Sequence, residues 1–448
     1  MHFLNTTSRP DKTYGLKPDI SVFSHTPALD SATEPPTELD WGIVELWIEN
    51  KPKDNDPFMK LEALQTNPDD VSCHVGWTAG AYKTCGQLIT YATALHRSQF
   101  RVFSFSIALF GDMGRFLRWD RSGVIYTEPF KWADGDLLEF LWRFNHLSAV
   151  DRGHDTTVSS AQDDEAELAL PKLKTYPKFD NLKKSQLHRI FVWDDGTPDE
   201  NPRRYITPSA KWATEALIGR ATFGYIAYEI ESGNIVYLKD YWRVDHRDVQ
   251  KEGDVYHELH EAEVPNIARM GRAGDVPRIP GRGGLEAPLA AVQRTKTQDY
   301  VSGPGSRYSW CPGHPRVEAY IHYRLVLETV GMPLNRFRST RQLCEVIRDA
   351  IIGEEVFLCI IFRKLSFGSV AHTAAFNKTG ILHRDVSAGN ILITDKGTGI
   401  LIDWDLSKKV KEVYDSKPRR HSRTVRDHLS RTNVWTELKV REHGNLYQ

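Results

Sequence analysis

The sequence predicts an α+β chain with more than one domain, beginning with a separate α/β domain over residues 1–150. Its 448 residues exceed the usual size of one domain, and 40 % hydrophobic content with 11 % aromatics is enough to form buried cores. An apolar run at 43–51 precedes a segment with helical spacing, which indicates strand followed by helix. Short apolar runs bounded by glycine recur beyond residue 215, which indicates further strands.

The composition excludes several classes of protein. With 58 Lys and Arg against 59 Asp and Glu, the net charge is −1, so no general positive field attracts the chain to nucleic acid or membranes. The chain starts without the charged and apolar regions of a signal peptide, and no apolar run reaches membrane-spanning length. Five cysteines without metal-binding spacing indicate reduced thiols. We therefore expect an intracellular protein, cytoplasmic or nuclear, without membrane contact and with nucleic acid only a weakly supported partner.

The first 150 residues contain the pattern of the α/β domain. The predicted elements are a largely buried strand at 43–51, a helix at 86–95, an alternating strand at 101–109, and a hairpin at 118–126. The first of these strands ends in Glu49 and Lys51, so two charged side chains are expected at its carboxyl end.

Four polar residues of this domain are candidate site residues: Asp19, Glu49, Lys51 and Gln87. They look like the Pro-Asp, Glu-x-Lys and Gln-xxx-Tyr motifs of the restriction-endonuclease-like fold. The resemblance implies two carboxylates that hold a divalent metal and a lysine that stabilises the hydrolytic water. Alternatively, Glu49 and Lys51 solvate a strand end and Asp19 caps a turn. A nuclease-like fold without activity is favoured over an active nuclease, because a shared fold does not establish a shared function.

Two later segments read as connections. Between residues 151 and 186 the apolar periodicity fades into acidic residues, prolines and paired lysines, which predicts an exposed linker. Residues 271–315, rich in Gly, Pro and Arg, are predicted to form an inserted loop without chemistry of its own.

The stretch at 217–226, Leu-Ile-Gly-Arg-Ala-Thr-Phe-Gly-Tyr-Ile, is similar to the loop that covers the nucleotide phosphates in protein kinases. The resemblance implies that Gly219 and Gly224 let the backbone approach the phosphates and that Ile226 covers the base. Ala221 stands in place of the middle glycine and stiffens the loop. Taken alone, the stretch would fit a plain hairpin better.

Further candidates follow this loop. Lys239, fifteen residues after Gly224, matches the kinase lysine that binds the nucleotide phosphates. Glu252, on a predicted amphipathic helix, is in position to pair with Lys239, and Glu258 is the alternative. A later strand-like stretch resembles the kinase hinge, which implies that the carbonyl of Glu328 and the amide of Val330 bind adenine.

The most specific motif is His-Arg-Asp at Asp385, followed after four residues by Asn390 and, beyond the next apolar runs, by Asp403. The runs at 391–393 and 400–402 suit short paired strands, which would bring these three side chains together at the strand ends. The motif resembles the catalytic core of protein kinases. Asp385 would accept the proton of the attacking hydroxyl, while Asn390 and Asp403 would hold magnesium ions.

Together these motifs look like the fungal-type protein kinase family over nearly the whole chain up to about residue 409. The resemblance implies a protein-kinase-like bilobal fold behind the N-terminal domain and its linker. The small lobe would span 187–334, and a partial large lobe with a basic tail would span 335–448. It also implies ATP, Mg²⁺ and a protein substrate.

The motif residues depart from the family pattern at two places. Asp403-Trp404-Asp405 replaces the usual Asp-Phe-Gly, so Trp404 must fill the packing position and Asp405 replaces a flexible glycine. Ser387 stands where Ser/Thr kinases usually carry lysine, which leaves the hydroxyl class of the substrate, Ser/Thr or Tyr, open.

Two longer segments also depart from it. An apolar block at 355–370 interrupts the pattern, as a true insertion or as a gene-model artefact. The chain ends at Gln448 without an Ala-Pro-Glu motif, so the large lobe is expected to be truncated and the region from about 320 onward loosely packed.

The leading interpretation is an ATP-dependent protein kinase. An inactive, truncated kinase-like binding module is the alternative, and metal-dependent nuclease activity of the N-terminal domain is the third hypothesis.

Overall fold

A computed structural model of the chain describes residues 1–24, 36–58, 78–177, 179–195, 201–210, 212–213, 216–279, 291–302, 317–351 and 371–409. The predicted apolar block at 355–370, most of the predicted inserted loop and the basic tail lie outside the described residues. No helix within these ranges is long and apolar enough to cross a membrane.

The N-terminal domain is built on one sheet, in which the described residues form seven strands. They are β1 (His2–Asn5), β2 (Ile20–Phe23), β3 (Val44–Lys51), β4 (Ser104–Phe110), β5 (Met113–Asp120), β6 (Gly123–Tyr126) and β7 (Phe130–Lys131). The first six follow one another across the sheet, and β7 pairs with β5. β3 and β4 are parallel, whereas the other neighbours are antiparallel.

Two helices cover the two faces of this sheet. α1 (Ala79–Ser98) makes the crossover that the parallel pair β3 and β4 requires, and it begins where Thr78 Oγ1 accepts a hydrogen bond from the Ala81 amide. Its residues Leu88 and Tyr91 are buried with Trp47. α2 (Asp136–His146) packs on the opposite face. The predicted first strand, helix, second strand and hairpin are therefore confirmed.

A second sheet, whose neighbouring strands are antiparallel, follows this domain along the chain. Its strands are β8 (Val158–Ser160), β9 (His188–Val192), β10 (Arg203–Thr207), β11 (Trp212–Ala213), β12 (Phe223–Glu229), β13 (Ile235–Val244), β14 (Met270–Asp275) and β15 (Tyr320–Leu327). They stand in the order β14-β15-β13-β12-β10-β9-β8, with β11 beside β12. The accompanying helices are α3 (Asp163–Leu173), α4 (Glu252–Glu261) and the short α5 (Thr297–Ser302).

The segment that was predicted to be an exposed linker instead contains a strand and a packed helix. Within 151–186, β8 joins the edge of the second sheet, and α3 buries Ala166, Ala169 and Leu173 against β10 and β12. The acidic residues that suggested an exposed segment instead form the first turn of α3. There their negative charges interact favourably with the positive end of the helix dipole. The domain boundaries at 150 and 186 stay a prediction.

Short elements complete the chain. They are β16 (Met332–Pro333), α6 (Thr340–Ile351), α7 (Ala371–Thr379), β17 (Ile381–Leu382), β18 (Ile391–Ile393), β19 (Gly399–Leu401) and β20 (Lys408–Lys409). Short 3-10 helices lie at Lys53–Asn55, Trp132–Asp134, Lys184–Gln186, Leu334–Arg336, Ala388–Asn390 and Trp404–Leu406. β18 and β19 are antiparallel neighbours, as the two apolar runs predicted.

The described part of this C-terminal region is not loosely packed. Val346, Ala350, Ala375, Ile393 and Leu401 are buried in one apolar cluster. The same cluster contains residues of α4, β13 and β15, so the C-terminal elements share a core with the second sheet. The expectation of loose packing rested on the missing Ala-Pro-Glu motif and the absent large-lobe helices, and it missed this shared core.

Candidate functional site

Lys239 and Glu252 form a buried ion pair, with Lys239 Nζ 2.7 Å from Glu252 Oε2. Strand alternation directs Lys239, Tyr237 and Tyr241 to the face of β13 that carries α4, and Glu252 is the first residue of α4. Glu258, the alternative partner, lies 2.7 Å from Lys409 Nζ instead. The structure therefore brings the favoured glutamate to Lys239.

Two aspartates from the Asp-Trp-Asp segment contact the same lysine. Asp403 Oδ1 forms an ion pair with Lys239 Nζ, and Asp405 Oδ2 lies 3.3 Å from that nitrogen. The amide of Trp404 donates to Glu252 Oε1 at 3.2 Å, which ties the segment to α4. The Trp404 ring is fully buried and meets His383 edge to face at 4.5 Å.

The charges around Lys239 set the protonation of Asp403. Burial on its own would raise the pKa of Asp403, but Lys239 and Arg220 outweigh it and lower that pKa below its ordinary value. Arg220 forms an ion pair with Asp405 and lies 5.4 Å from the centre of the Tyr241 ring. Two cations therefore meet three carboxylates here.

The loop after β17 places Asp385 beside Asn390. Asn390 Nδ2 donates to the carbonyl of Asp385 at 2.8 Å and to its carboxylate Oδ2 at 3.2 Å. The loop is joined to the strand that leads to Asp403, since the amide of Ile402 donates to the carbonyl of Asn390 at 2.9 Å. Both side chains are half-buried.

His383 anchors this loop through hydrogen bonds at both ring nitrogens. Its Nε2 lies 2.9 Å from the carbonyl of Ile402, and its Nδ1 lies 3.3 Å from the amide of Asp385. Because a carbonyl accepts and an amide donates, these bonds require a neutral ring with its proton on Nε2. Burial lowers the pKa of His383, which favours that neutral form.

The glycine-containing loop lies over Lys239. Gly224 and Ile226 on β12 stand directly opposite Lys239 and Tyr237 on β13, and Gly219 precedes β12 with φ +98°. Ala221 also has a positive φ, 40°, a conformation that favours glycine.

The comparisons agree with this arrangement. The sequence model of the family described as fungal protein kinase matches residues 70–426. The chain belongs to the fungal protein kinase family. A comparison with curated proteins finds no match. The family match covers most of the N-terminal domain together with all the kinase-like residues described so far.

Within this kinase family member, two of the three residues predicted to surround adenine lie in or against an apolar cluster. Ile226 is only 1 % exposed, in a cluster with residues of β10 and α3, and Val330 packs against the same cluster. Glu328 is exposed, and its amide donates to the carbonyl of Arg269 at 2.8 Å. The adenine contacts of these residues stay predictions.

The donor set near Lys239 suits a hard cation. One carboxylate oxygen each from Glu252, Asp403 and Asp405 lies within 4.8 Å of the others. The amide nitrogen of Asn390 is used by Asp385, which leaves its oxygen as the atom able to face a metal. These oxygen donors fit magnesium, which prefers oxygen ligands.

The four nuclease-like residues also converge. Glu49 Oε1 lies 2.5 Å from Lys51 Nζ and accepts a hydrogen bond from Gln87 Nε2 at 2.8 Å. The amide of Asp19 donates to Glu49 Oε2 at 3.2 Å, and Asp19 Oδ2 accepts from the amide of Asn50 at 2.8 Å. Burial raises the pKa of Glu49.

Sequence reasoning missed Arg220 as a site residue. It lies between the two glycines of the loop, and its partner Asp405 replaces the usual glycine of the kinase motif. The signal in the sequence was the negative charge of Asp405 at a glycine position, which could have suggested a cationic partner such as Arg220.

Proposed function

We propose that the chain transfers the γ-phosphoryl group of ATP to a protein hydroxyl. The observation that supports this most is the contact of Lys239 with both Glu252 and Asp403, three residues from distant motifs that meet in one cluster. Phosphoryl transfer depends mainly on positioning and charge stabilisation, and this cluster offers both.

Each residue has a role in this proposal. Lys239 binds the nucleotide phosphates, while Glu252 holds its ammonium group in place. Asp385 accepts the hydroxyl proton, and its half-buried position leaves it accessible to a substrate. Asn390 orients Asp385 through two hydrogen bonds. Magnesium held by Asp403 and Asn390 would neutralise charge on the phosphates.

Purified protein tests this proposal in two ways. Mg-ATP should raise the melting temperature, and labelled ATP should phosphorylate the chain itself or a generic protein substrate. Asp385→Asn should reduce phosphorylation at least about 100-fold while retaining the Mg-ATP thermal shift, because it removes the base but no proposed phosphate contact. Lys396→Met, at an exposed turn, is the matched control and should behave as wild type. Undiminished phosphorylation by Asp385→Asn would contradict the assigned role.

One observation favours the alternative of an inactive binding module. Asp405 engages both Lys239 and Arg220, two cations beside the loop that should meet phosphate. If these pairs persist, neither of these two cations is free to bind nucleotide phosphates. Absence of both the Mg-ATP thermal shift and phosphorylation in the wild type would support this alternative.

The second candidate function is metal-dependent nucleic acid hydrolysis in the N-terminal domain. It is favoured by the convergence of Asp19, Glu49, Lys51 and Gln87. Mg²⁺- or Mn²⁺-dependent cutting of DNA or RNA should disappear in Asp19→Ala and Lys51→Ala. It should persist in Lys53→Ala, because this nearby lysine is exposed and lies 3.5 Å from Asp112. Cutting that survives the first two substitutions would come from a contaminant.

A further inference from the structure

The turn between β5 and β6 reaches from the N-terminal domain to the glycine-containing loop. Arg121 Nη1, in this turn, donates to the carbonyl of Leu217 at 3.0 Å. In return, the amide of Gly219 donates to the carbonyl of Arg121 at 2.8 Å. Two hydrogen bonds therefore join the two segments, one through the side chain of Arg121 and one through its backbone.

The loop also contributes to the core of the N-terminal domain. The side chain of Leu217 is 2 % exposed and belongs to the apolar cluster that contains Trp47, Tyr91 and Trp119. Burial of an apolar side chain stabilises the packed arrangement. The start of the loop is thus fixed by apolar packing in addition to hydrogen bonds.

The turn itself is anchored on its other side. The buried Asp120 carboxylate accepts from the amides of Lys296 and Thr297 at 2.8 and 3.1 Å, and from Thr297 Oγ1 at 2.8 Å. Ser122 Oγ lies 2.7 Å from both Thr295 Oγ1 and the carbonyl of Glu318. These bonds tie the turn to the segments that lead into β15, so it provides a fixed support.

Contacts continue from the loop to the lysine cluster. The carbonyl of Arg220 accepts from the amide of Trp242 on β13 at 2.7 Å, and the Arg220 guanidinium pairs with Asp405. Asp405 in turn contacts Lys239. A displacement of Leu217 or Gly219 would therefore shift the residues that are to meet phosphate.

Burial of Arg121 without full hydrogen bonding points to a role in holding the loop. Its Nε has no partner among the described residues, and burial lowers its pKa to about 10, so it remains charged at neutral pH. A buried charged group with an unpaired donor is unfavourable. The hydrogen bond to the Leu217 carbonyl offsets part of this cost, together with the negative charges of Asp240 and Asp120.

We infer that the N-terminal domain positions the phosphate-covering loop, with Arg121 and Leu217 as positioning residues for nucleotide binding. The inference rests on the proposed kinase function. It predicts that nucleotide affinity depends on a domain that contacts no nucleotide.

The test compares two buried arginines of the full chain. Arg121→Met removes the donor to the loop but keeps an apolar stem, whereas Arg115→Met removes bonds to Asp56, Phe58 and Thr127, all in the N-terminal domain. Hydrogen exchange at the Gly219 amide reports on the loop without requiring activity. We expect exchange at least about tenfold faster in Arg121→Met and unchanged in Arg115→Met.

The same variants are then compared in Mg-ATP binding. Arg121→Met should weaken Mg-ATP binding at least about tenfold, Arg121→Lys should recover part of it, and Arg115→Met should bind as wild type. If Arg121→Met does not fold, Leu217→Ala breaks the same junction from the loop side. Unchanged exchange at Gly219, or faster exchange with unchanged Mg-ATP affinity, overturns the inference. A wild type that does not bind Mg-ATP refutes the proposed kinase function, while the exchange result still decides whether Arg121 holds the loop.

Discussion

Two clusters of the described residues, those at Lys239 and at Lys51, place a lysine against carboxylates, and they shift the pKa of a carboxylate in opposite directions. Around Lys239, three carboxylates meet two cations, and the pKa of Asp403 is lowered. Around Glu49, Lys51 is the cation in contact, Asp19 adds a second negative charge, and the pKa of Glu49 is raised. Both sets of charges sum to −1, but around Asp403 the cations outweigh the effect of burial, whereas burial of Glu49 outweighs the effect of Lys51.

The clusters also differ in burial and origin. The Lys239 side chain is 7 % exposed and its partners come from distant segments, while Lys51 is 23 % exposed and pairs with a residue two positions away. The Lys–Glu pair therefore joins distant segments at Lys239, whereas at Lys51 it links two residues at the end of one strand. Four predictions examine this difference.

The largest expected effect comes from removing each lysine. Lys239→Met leaves carboxylates unpaired in a buried site and should lower the free energy of unfolding by about 3 kcal/mol. Lys51→Met should lower it less, by about 1 kcal/mol, because the buried Glu49 keeps its hydrogen bonds from Gln87 and from the Asp19 amide. Chemical denaturation of both variants measures the contrast. Adding Glu252→Gln to Lys239→Met should recover stability, and equal losses in the two single variants would remove the distinction.

Neutralising Asp405 should convert the Lys239 cluster into a stronger anion site. Asp405→Asn releases Lys239 and Arg220 from one carboxylate, so Mg-ATP should bind about tenfold more tightly. Isothermal titration calorimetry measures the change, with Asp395→Asn, in an exposed turn, as the control. Weaker binding would instead identify Asp405 as a ligand of the metal.

The two clusters should respond to pH in opposite directions. The pKa of Glu49 is raised above its ordinary value of 4.5 in the folded chain. The contribution of Glu49 to stability therefore falls as the pH rises above 4.5. The pKa of Asp403 is lowered below its ordinary value of 3.8 in the folded chain. The contribution of Asp403 to stability is therefore present above pH 3.8 and is lost as the pH falls below that value.

Substitution isolates each contribution. Relative to wild type, Glu49→Gln should become more stable as the pH rises from 4.5 to 7, whereas the cost of Asp403→Asn should vanish as the pH falls below 3.8. Denaturation series at several pH values provide the measurement. Parallel pH profiles for the two variants would contradict the opposite pKa shifts of Glu49 and Asp403.

The smallest effect concerns the loop that supplies the second cation to the Lys239 cluster. Ala221, next to Arg220, has a φ of 40°, which a glycine adopts without strain. Ala221→Gly should raise the free energy of unfolding by up to about 1 kcal/mol, because the relieved strain exceeds the added chain entropy. Thermal denaturation detects the change. Ala227→Gly, within β12, should destabilise the chain instead.

Local patterns in the sequence predicted much of the fold. Alternation at 101–109, helical spacing at 86–95 and the paired runs at 391–393 and 400–402 each gave the element that the structure contains. The failures occurred at 151–186 and beyond 320, where a few buried residues decide the structure. Ala166, Ala169 and Leu173 have the i, i+3, i+7 spacing of a helix face, but they lie among charged residues and Pro171, and distant segments form the sheet that they cover.

The sequence by itself determined the residue types and the motif spacing of both clusters, because each motif lies within one short stretch of the chain. Only the tertiary structure decided that Glu252 rather than Glu258 meets Lys239, that Arg220 pairs with Asp405, and that Arg121 supports the loop. These contacts join segments far apart in the chain. Periodicity reports on neighbours within one element, whereas charge pairing across elements depends on how the sheets and helices pack.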